Sequence, residues 1–103
     1  TDGALLRSFG KPSVEIDGFS GCCNPTDLAV LSDGRIVTAE KRPPRVKVCN
    51  PDGTIESVIA LPKDFAPEAA GLDLAVDAAG RVLMLDPQAR TVRVFEQTEV
   101  KPQ

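Results

Sequence analysis

A segment of this chain occurs twice at a fixed spacing. Asp27-Leu28-Ala29-Val30 recurs 46 positions later as Asp73-Leu74-Ala75-Val76. Without a gap, the same spacing aligns further identical or similar residues: Gly34 with Gly80, Arg35 with Arg81, Ile36 with Val82, Glu40 with Asp86, Val46 with Val92, Lys47 with Arg93 and Val48 with Val94. Such a period is typical of repeat architectures, in which one unit cannot bury its apolar surface alone and neighbouring units cover it.

The local residue pattern indicates strands. A period in the forties fits both helix-pair repeats and propeller blades. Arg45–Cys49 and Thr91–Phe95 alternate with a period of two, as half-buried strands do. Asp33-Gly34 and Asp52-Gly53 are typical turn dipeptides. We therefore expect antiparallel meanders with strands at Pro25–Leu31, Arg35–Ala39, Arg45–Cys49, Thr54–Ile59, Leu72–Val76, Arg81–Leu85 and Thr91–Phe95.

The strand pattern divides the chain into four parts. Residues 24–60 form a complete four-stranded blade and residues 71–96 supply three strands of a second one. Residues 1–10 are expected to hold an orphan fourth strand, Ala4–Phe9, because Asp2-Gly3 precedes it as Asp52-Gly53 precedes Thr54. Residues 97–103 form a tail. The aliphatic residues expected to be mostly buried are Leu28, Val30, Val37, Val46, Val48, Leu74, Val76, Leu83, Val92 and Val94.

The same residues resemble a known repeat family. Asn24–Val30, Asp33–Glu40, Arg45–Val48 and Asp52-Gly53 together look like an NHL repeat, and the resemblance covers roughly residues 1–96. It implies an all-β fold built from β-propeller blades, typically six per ring. It also implies a range of functions, because NHL propellers serve as protein-binding and RNA-binding platforms and some relatives are lyases or hydrolases. The aromatic residue that the family usually has near the end of the third strand is present as Phe95, whereas the first unit has Cys49.

Two blades leave apolar faces and strand edges open, which favours association. We expect the rest of the ring to come from further copies, with a homotrimer giving six blades and four copies as the nearest rival. In this arrangement Ala4–Phe9 completes the three-stranded unit of a neighbouring copy. The alternative is that the chain is a fragment of a longer propeller, and the strand offset is compatible with both.

Strand connections in a meander alternate between two rims. The segment Gly21–Asn24 is therefore expected beside the loop Glu40–Arg45, with Pro62–Ala70 and Asp86–Arg90 on the same rim. Loops on a rigid scaffold often carry function, and arginine and lysine can bind a carboxylate or a phosphate. In the alternative interpretation these charges pair with one another on a solvated loop. The candidate ligand-binding residues are Cys22, Cys23, Asn24, Glu40, Lys41, Arg42, Arg45 and Arg90.

The adjacent cysteines Cys22 and Cys23 allow three interpretations. They are structural thiols that shape the turn before Asn24, or they form a disulfide between neighbours, or they ligate a soft metal together with other copies. Three cysteines do not form a disulfide framework. Cys49 is expected in the core, since it matches Phe95.

Two aspartates occupy one repeated position. Asp27 and Asp73 each open the repeated segment. A residue repeated in this way is expected to serve each blade alike, for instance by accepting backbone N–H bonds. The alternative is that both carboxylates line a ligand or cation site at the propeller axis.

Composition excludes several classes of function. The chain has no histidine, which removes Ser-His-Asp and Cys-His catalysis and every histidine-ligated metal site. A net charge of -3 argues against nucleic acid as a partner, since binding to phosphates needs clustered Lys and Arg. The longest uncharged apolar run, Leu28–Leu31, is far too short to span a membrane.

We expect a binding module that presents one rim to a protein or a small ligand, and no cofactor is expected. The first alternative is a propeller enzyme of lyase or hydrolase type, with an acidic or metal-assisted site near the axis that draws on Asp27, Glu40 and Asp73. The second alternative is a structural propeller fragment that self-assembles. Thr1 at the first position suits either removal of an export signal or a simple cut in the sequence. Because NHL-like proteins of bacterial type are often exported, the resemblance implies a periplasmic or extracellular location.

Overall fold

The computed structural model describes residues 3–13, 15–21, 23–66 and 68–96, which form two antiparallel sheets. Sheet 1 contains β1 (Asp27–Val30), β2 (Ile36–Glu40), β3 (Arg45–Cys49) and β4 (Ile55–Ala60), and sheet 2 contains β5 (Asp73–Val76), β6 (Val82–Asp86) and β7 (Thr91–Phe95). Each sheet is a meander with its strands in sequence order. The only helical segment of the described residues is one 3-10 turn at Pro62–Asp64. The predicted all-β fold of four and three strands is confirmed.

The two sheets repeat each other in register as well as in sequence. Asp27 lies opposite Ala39 in sheet 1, and Asp73 lies opposite Leu85 in sheet 2. Both first turns close in the same way, since Leu31 N donates to Arg35 O at 2.9 Å and Asp77 N donates to Arg81 O at 3.0 Å. Gly34 and Gly80 have φ angles of +92° and +81° in these turns, a conformation that glycine adopts without steric cost.

The core lies between the sheets. One face of sheet 1 packs against one face of sheet 2, and we call these the inner faces. They consist of Ala29, Val37, Ala39, Val46 and Val48 in sheet 1, and of Leu74, Val76, Val82, Met84 and Phe95 in sheet 2. Phe65, Ala69 and Leu72 of the connecting segment belong to the same cluster, as do Leu31 and Ala60 at the ends of β1 and β4. Asp27 at the start of β1 accepts a hydrogen bond from Leu74, which lies next to Asp73, the equivalent residue at the start of β5. The starts of β1 and β5 therefore lie together, and the sheets stack in the same orientation.

Four positions expected in the core are instead exposed. Val37, Val46 and Val48 are buried as predicted, and Leu74, Val76 and Leu83 are half-buried. The prediction is wrong for Leu28, Val30, Val92 and Val94, which are 56%, 56%, 59% and 56% exposed. These residues lie on the opposite faces of the sheets, which we call the outer faces. A period-two pattern shows that a strand has two faces, but in this single chain only one face of each sheet has a neighbouring sheet.

The N-terminal residues form no regular strand in the single chain. The described residues 3–11 have no strand assignment, and Leu5 and Leu6 are exposed. The partner expected for Ala4–Phe9 is the edge of another copy, so that pairing stays a prediction. Thr1, Asp2 and the tail at 97–103 lie outside the described residues. Within the described part of the chain, no helix has the length and apolar character needed to cross a bilayer.

Candidate functional site: a loop rim above a buried charge cluster

One asparagine holds the loops of sheet 1 together at one end of the sheets. Asn24 Nδ2 donates to Ser20 O at 2.8 Å and to Lys41 O at 2.7 Å, while Asn24 Oδ1 accepts from Lys41 N at 2.9 Å. The segment leading into β1 therefore lies beside the β2–β3 turn, as the alternation of connections predicts. We call this end, with residues 41–44 and 87–90, the loop rim.

Three cationic side chains lie on the loop rim. Lys41 is half-buried, whereas Arg42 and Arg90 are exposed. Both arginines have positive φ angles, 51° and 56°, an uncommon conformation for a residue other than glycine. The second unit has no equivalent of the asparagine clamp, because the position 46 residues after Asn24 is Ala70.

The cysteines differ in chemical state. Cys23 is exposed and takes part in a disulfide bond; Cys22 lies outside the described residues. In this form Cys23 offers no thiolate to a metal, since a metal-binding cysteine is deprotonated and unpaired. Cys49 is free and buried, as expected for a core residue. Burial raises the pKa of the Cys49 thiol above its usual range, because the anion is disfavoured in an apolar environment.

A buried charge cluster lies on the outer face of sheet 1, beneath the loop rim. Its members are Glu40, Arg45 and Lys47, and all three side chains are almost inaccessible. Glu40 Oε2 is 2.8 Å from Arg45 Nε and 3.4 Å from Lys47 Nζ. Glu40 and Arg45 therefore bind each other inside the molecule, while Lys41 and Arg42 remain at its surface. The predicted site residues therefore divide into a buried pair, Glu40 and Arg45, and a surface pair, Lys41 and Arg42.

A chain segment covers this cluster, and we call residues 15–19 the strap. Arg45 Nη2 donates to the carbonyls of Glu15 and Gly18, at 2.8 and 2.7 Å. Lys47 Nζ donates to the carbonyls of Ile16 and Gly18, at 2.9 and 2.6 Å. Buried charges are tolerated when they are paired and hydrogen-bonded in this way.

An aromatic ring completes the burial of Lys47. Its Nζ lies 4.2 Å from the centre of the Phe19 ring, within the range of a cation–π contact. Burial lowers the pKa of Lys47 below its usual range, although the neighbouring Glu40 acts in the opposite direction.

The second unit contains the same arrangement. Arg93 Nη2 is 3.7 Å from Asp86 Oδ2, and the Arg93 guanidinium lies 5.1 Å from the centre of the Phe65 ring. Phe19 and Phe65 are 46 positions apart, like Lys47 and Arg93. Sequence reasoning did not identify these rings, although extending the repeat towards the N-terminus would have found them. A carboxylate, a cation and a ring recurring in both units indicate a structural role for Glu40.

The repeated aspartates have different surroundings. Asp27 Oδ2 accepts a 2.6 Å hydrogen bond from Leu74 N and so joins β1 to β5. A carboxylate that accepts a backbone N–H is the kind of contact expected for the repeated aspartate, and in sheet 1 Asp27 makes it. Asp73 is exposed. Within the described residues, no three His, Cys, Asp or Glu side chains are grouped closely enough to hold a metal ion.

Comparison of the chain with protein-family models gives no match, and comparison with curated proteins gives none either.

Proposed function

We propose that the chain is a pair of NHL-like β-propeller blades that acts as a binding module through its loop rim. The ligand is a protein or small molecule that carries a carboxylate or phosphate group. The observation that carries this proposal is the presence of Arg42 and Arg90 as exposed cations on equivalent turns. Both turns belong to sheets held in the same orientation by the core and by the Asp27–Leu74 hydrogen bond.

The clamp at Asn24 supports a binding role for this rim. Two hydrogen bonds between Asn24 and Lys41 fix the β2–β3 turn to the segment before β1. A third holds Asn24 to Ser20 within that segment. A turn fixed in this way loses little conformational freedom when a ligand binds, which favours affinity. Guanidinium groups form strong, charge-assisted hydrogen bonds with carboxylates and phosphates.

The acidic residues offer less support for the alternative of a propeller enzyme. Glu40 is held by Arg45 and Lys47 beneath the strap, and Asp27 is bound to the backbone of β5. A general acid or base must come within hydrogen-bond reach of its substrate. Neither of these two carboxylates lies open at the loop rim. The third candidate, Asp73, is exposed, but within the described residues it belongs to no metal-binding group of His, Cys, Asp or Glu.

NMR titration of the labelled chain with inorganic phosphate, and separately with an acidic peptide, tests the proposal. We expect amide shifts confined to the loop rim, and Arg42→Gln with Arg90→Gln should weaken binding by about tenfold for each arginine removed. The matched control is Arg81→Gln, which removes an exposed arginine from the turn at the opposite rim and should leave affinity unchanged. Equal weakening by the control, or no shifts at the rim with either probe, would contradict the proposal.

A further inference from the structure

Each sheet has an outer face that the single chain does not cover with another sheet. On sheet 2 this face consists of Ala75, Leu83, Leu85, Val92 and Val94. Leu85, Val92 and Val94 are each exposed. On sheet 1 the uncovered part is formed by Leu28, Val30 and Ile36 on β1 and β2. Large apolar patches on a protein surface usually mark an interaction site.

The two outer faces correspond, through the repeat, to the two inner faces that pack against each other. A shift of 46 positions converts the inner face of sheet 1 into the outer face of sheet 2. For example, Val46 becomes Val92 and Val48 becomes Val94. The same shift converts the outer face of sheet 1 into the inner face of sheet 2, so that Leu28 becomes Leu74. The two open faces therefore carry positions equivalent to the two surfaces that already pack together inside the chain, with Leu85 in place of Ala39 and Thr38 in place of Met84.

The hydrogen bond between Asp27 and Leu74 in the internal interface has equivalent groups on the open faces, the Asp73 carboxylate and the Leu28 N–H. Leu74 and Leu28 occupy the same register position, opposite Met84 and Thr38. The pairs Leu31–Arg35 and Asp77–Arg81 are hydrogen-bonded. Because hydrogen-bonded and non-hydrogen-bonded pairs alternate along an antiparallel ladder, Leu28 and Leu74 belong to non-hydrogen-bonded pairs. Their backbone N–H groups then point away from the meander, and Asp27 accepts that of Leu74. The equivalent acceptor, Asp73, is exposed at the open face of sheet 2.

The strap leaves room for a docked sheet. A groove of about 520 Å³ on the outer face of sheet 1 is lined in part by Phe9, Phe19, Leu28, Ile36 and Thr38. The strap covers Lys47 on β3, whereas Leu28 and Val30 on β1 remain exposed. The equivalent Phe65 covers Arg93, and there sheet 1 packs on the same face of sheet 2. A ring over the cation is thus compatible with a stacked neighbour.

We propose that a second copy of this chain docks head to tail, with the outer face of sheet 2 on the outer face of sheet 1. The Asp73 carboxylate of one copy accepts the Leu28 N–H of the next. The contact is heterologous, so repetition closes a ring when the rotation between copies allows it, and three copies would supply the six blades that the NHL resemblance implies. This inference rests on the blade architecture of the proposed function but not on ligand binding at the loop rim.

Molar mass in solution tests the docking. The wild-type chain, with a mass of 10.9 kDa, should sediment as a closed multiple, three copies being expected. Val94→Asp blocks the face of sheet 2 and Leu28→Asp blocks the face of sheet 1. Each variant should sediment as a single chain with an unchanged far-UV spectrum and cooperative unfolding, because both side chains are exposed in one copy. Leu61→Asp is the control, an exposed leucine that lies outside the strands of both sheets, and should assemble like the wild type.

Mixing the two blocked variants gives the decisive result. Val94→Asp retains an open sheet 1 and Leu28→Asp retains an open sheet 2, so an equimolar mixture should form a one-to-one dimer and nothing larger. A wild-type monomer, assembly that survives either blocked face, or a mixture that stays monomeric would overturn the proposal. Titrating the monomeric Val94→Asp variant with inorganic phosphate separates the two hypotheses, because rim shifts report ligand binding and molar mass reports docking.

Discussion

The charge clusters of the two units share a pattern but differ in depth. In sheet 1 the side chains of Glu40 and Lys47 are 0% and 1% exposed, whereas in sheet 2 those of Asp86 and Arg93 are 2% and 32% exposed. Sheet 1 has a second cation, Arg45, and the carbonyls of the strap bind both cations. The comparison shows that the ion pair belongs to the repeated architecture, while the depth of burial depends on what covers it.

Removal of the acid should affect the first unit most. In Glu40→Gln, Arg45 and Lys47 remain buried without a counter-charge, and we expect the free energy of unfolding to fall by about 3 to 5 kcal/mol. Chemical denaturation measures this loss. In the equivalent Asp86→Asn, the partly exposed Arg93 can be solvated, so the loss should be about 1 kcal/mol or less. Equal losses in the two variants would show that the difference in depth has no energetic consequence.

The asparagine clamp distinguishes the loop rims of the two units. Asn24→Ala removes three hydrogen bonds to the backbone of Ser20 and Lys41, and we expect a loss of about 2 kcal/mol in unfolding free energy. Amide exchange at Lys41 should accelerate in the same variant. The control is Asn50→Ala in the β3–β4 turn, where the side chain makes one exposed hydrogen bond to Thr54. If the control loses as much, the clamp has no special role.

At alkaline pH two buried groups of sheet 1, Cys49 and Lys47, change the free energy of unfolding in opposite directions. The pKa of Cys49 is raised above 9.0, so the folded state keeps a proton that the unfolded state loses, and stability falls as pH rises. The pKa of Lys47 is lowered below 10.5. The unfolded state then holds more protons, and stability rises with pH up to that value. Glu40 and Arg45 face the same Lys47 ammonium group.

The expected result is small but has a definite sign. Above pH 9.0 the wild type should lose stability relative to its value at neutral pH, and Cys49→Ala should not show this loss. The reason is that only the wild type has a thiol that ionises more readily in the unfolded state than in the folded state. Lys47→Met should differ from the wild type in the opposite direction. Denaturation curves recorded across this range measure both effects. Parallel curves for the wild type and Cys49→Ala would contradict the assignment of a raised thiol pKa.

The sequence predicted the strands because the repeat and the period-two pattern are local properties. Arg45–Cys49 and Thr91–Phe95 have the predicted bounds. Which face a strand buries depends on a neighbouring sheet, so the exposure of Val92 and Val94 was not predictable from alternation. The common rim of Asn24 and Lys41 followed from the order of connections. The burial of Glu40 did not, because the strap that covers it is irregular and its periodic signal is limited to the 46-residue spacing of Phe19 and Phe65.

Hydrogen exchange at two equivalent amides tests the central claim, that the chain repeats its internal interface with a second copy. Leu74 N–H is bound by Asp27 in every copy, so it should be protected at any protein concentration. Leu28 N–H should be protected only in the assembled wild type and should exchange quickly in monomeric Val94→Asp, with Leu74 unchanged. If Leu28 exchanges equally fast in the concentrated wild type and in the variant, the account is wrong.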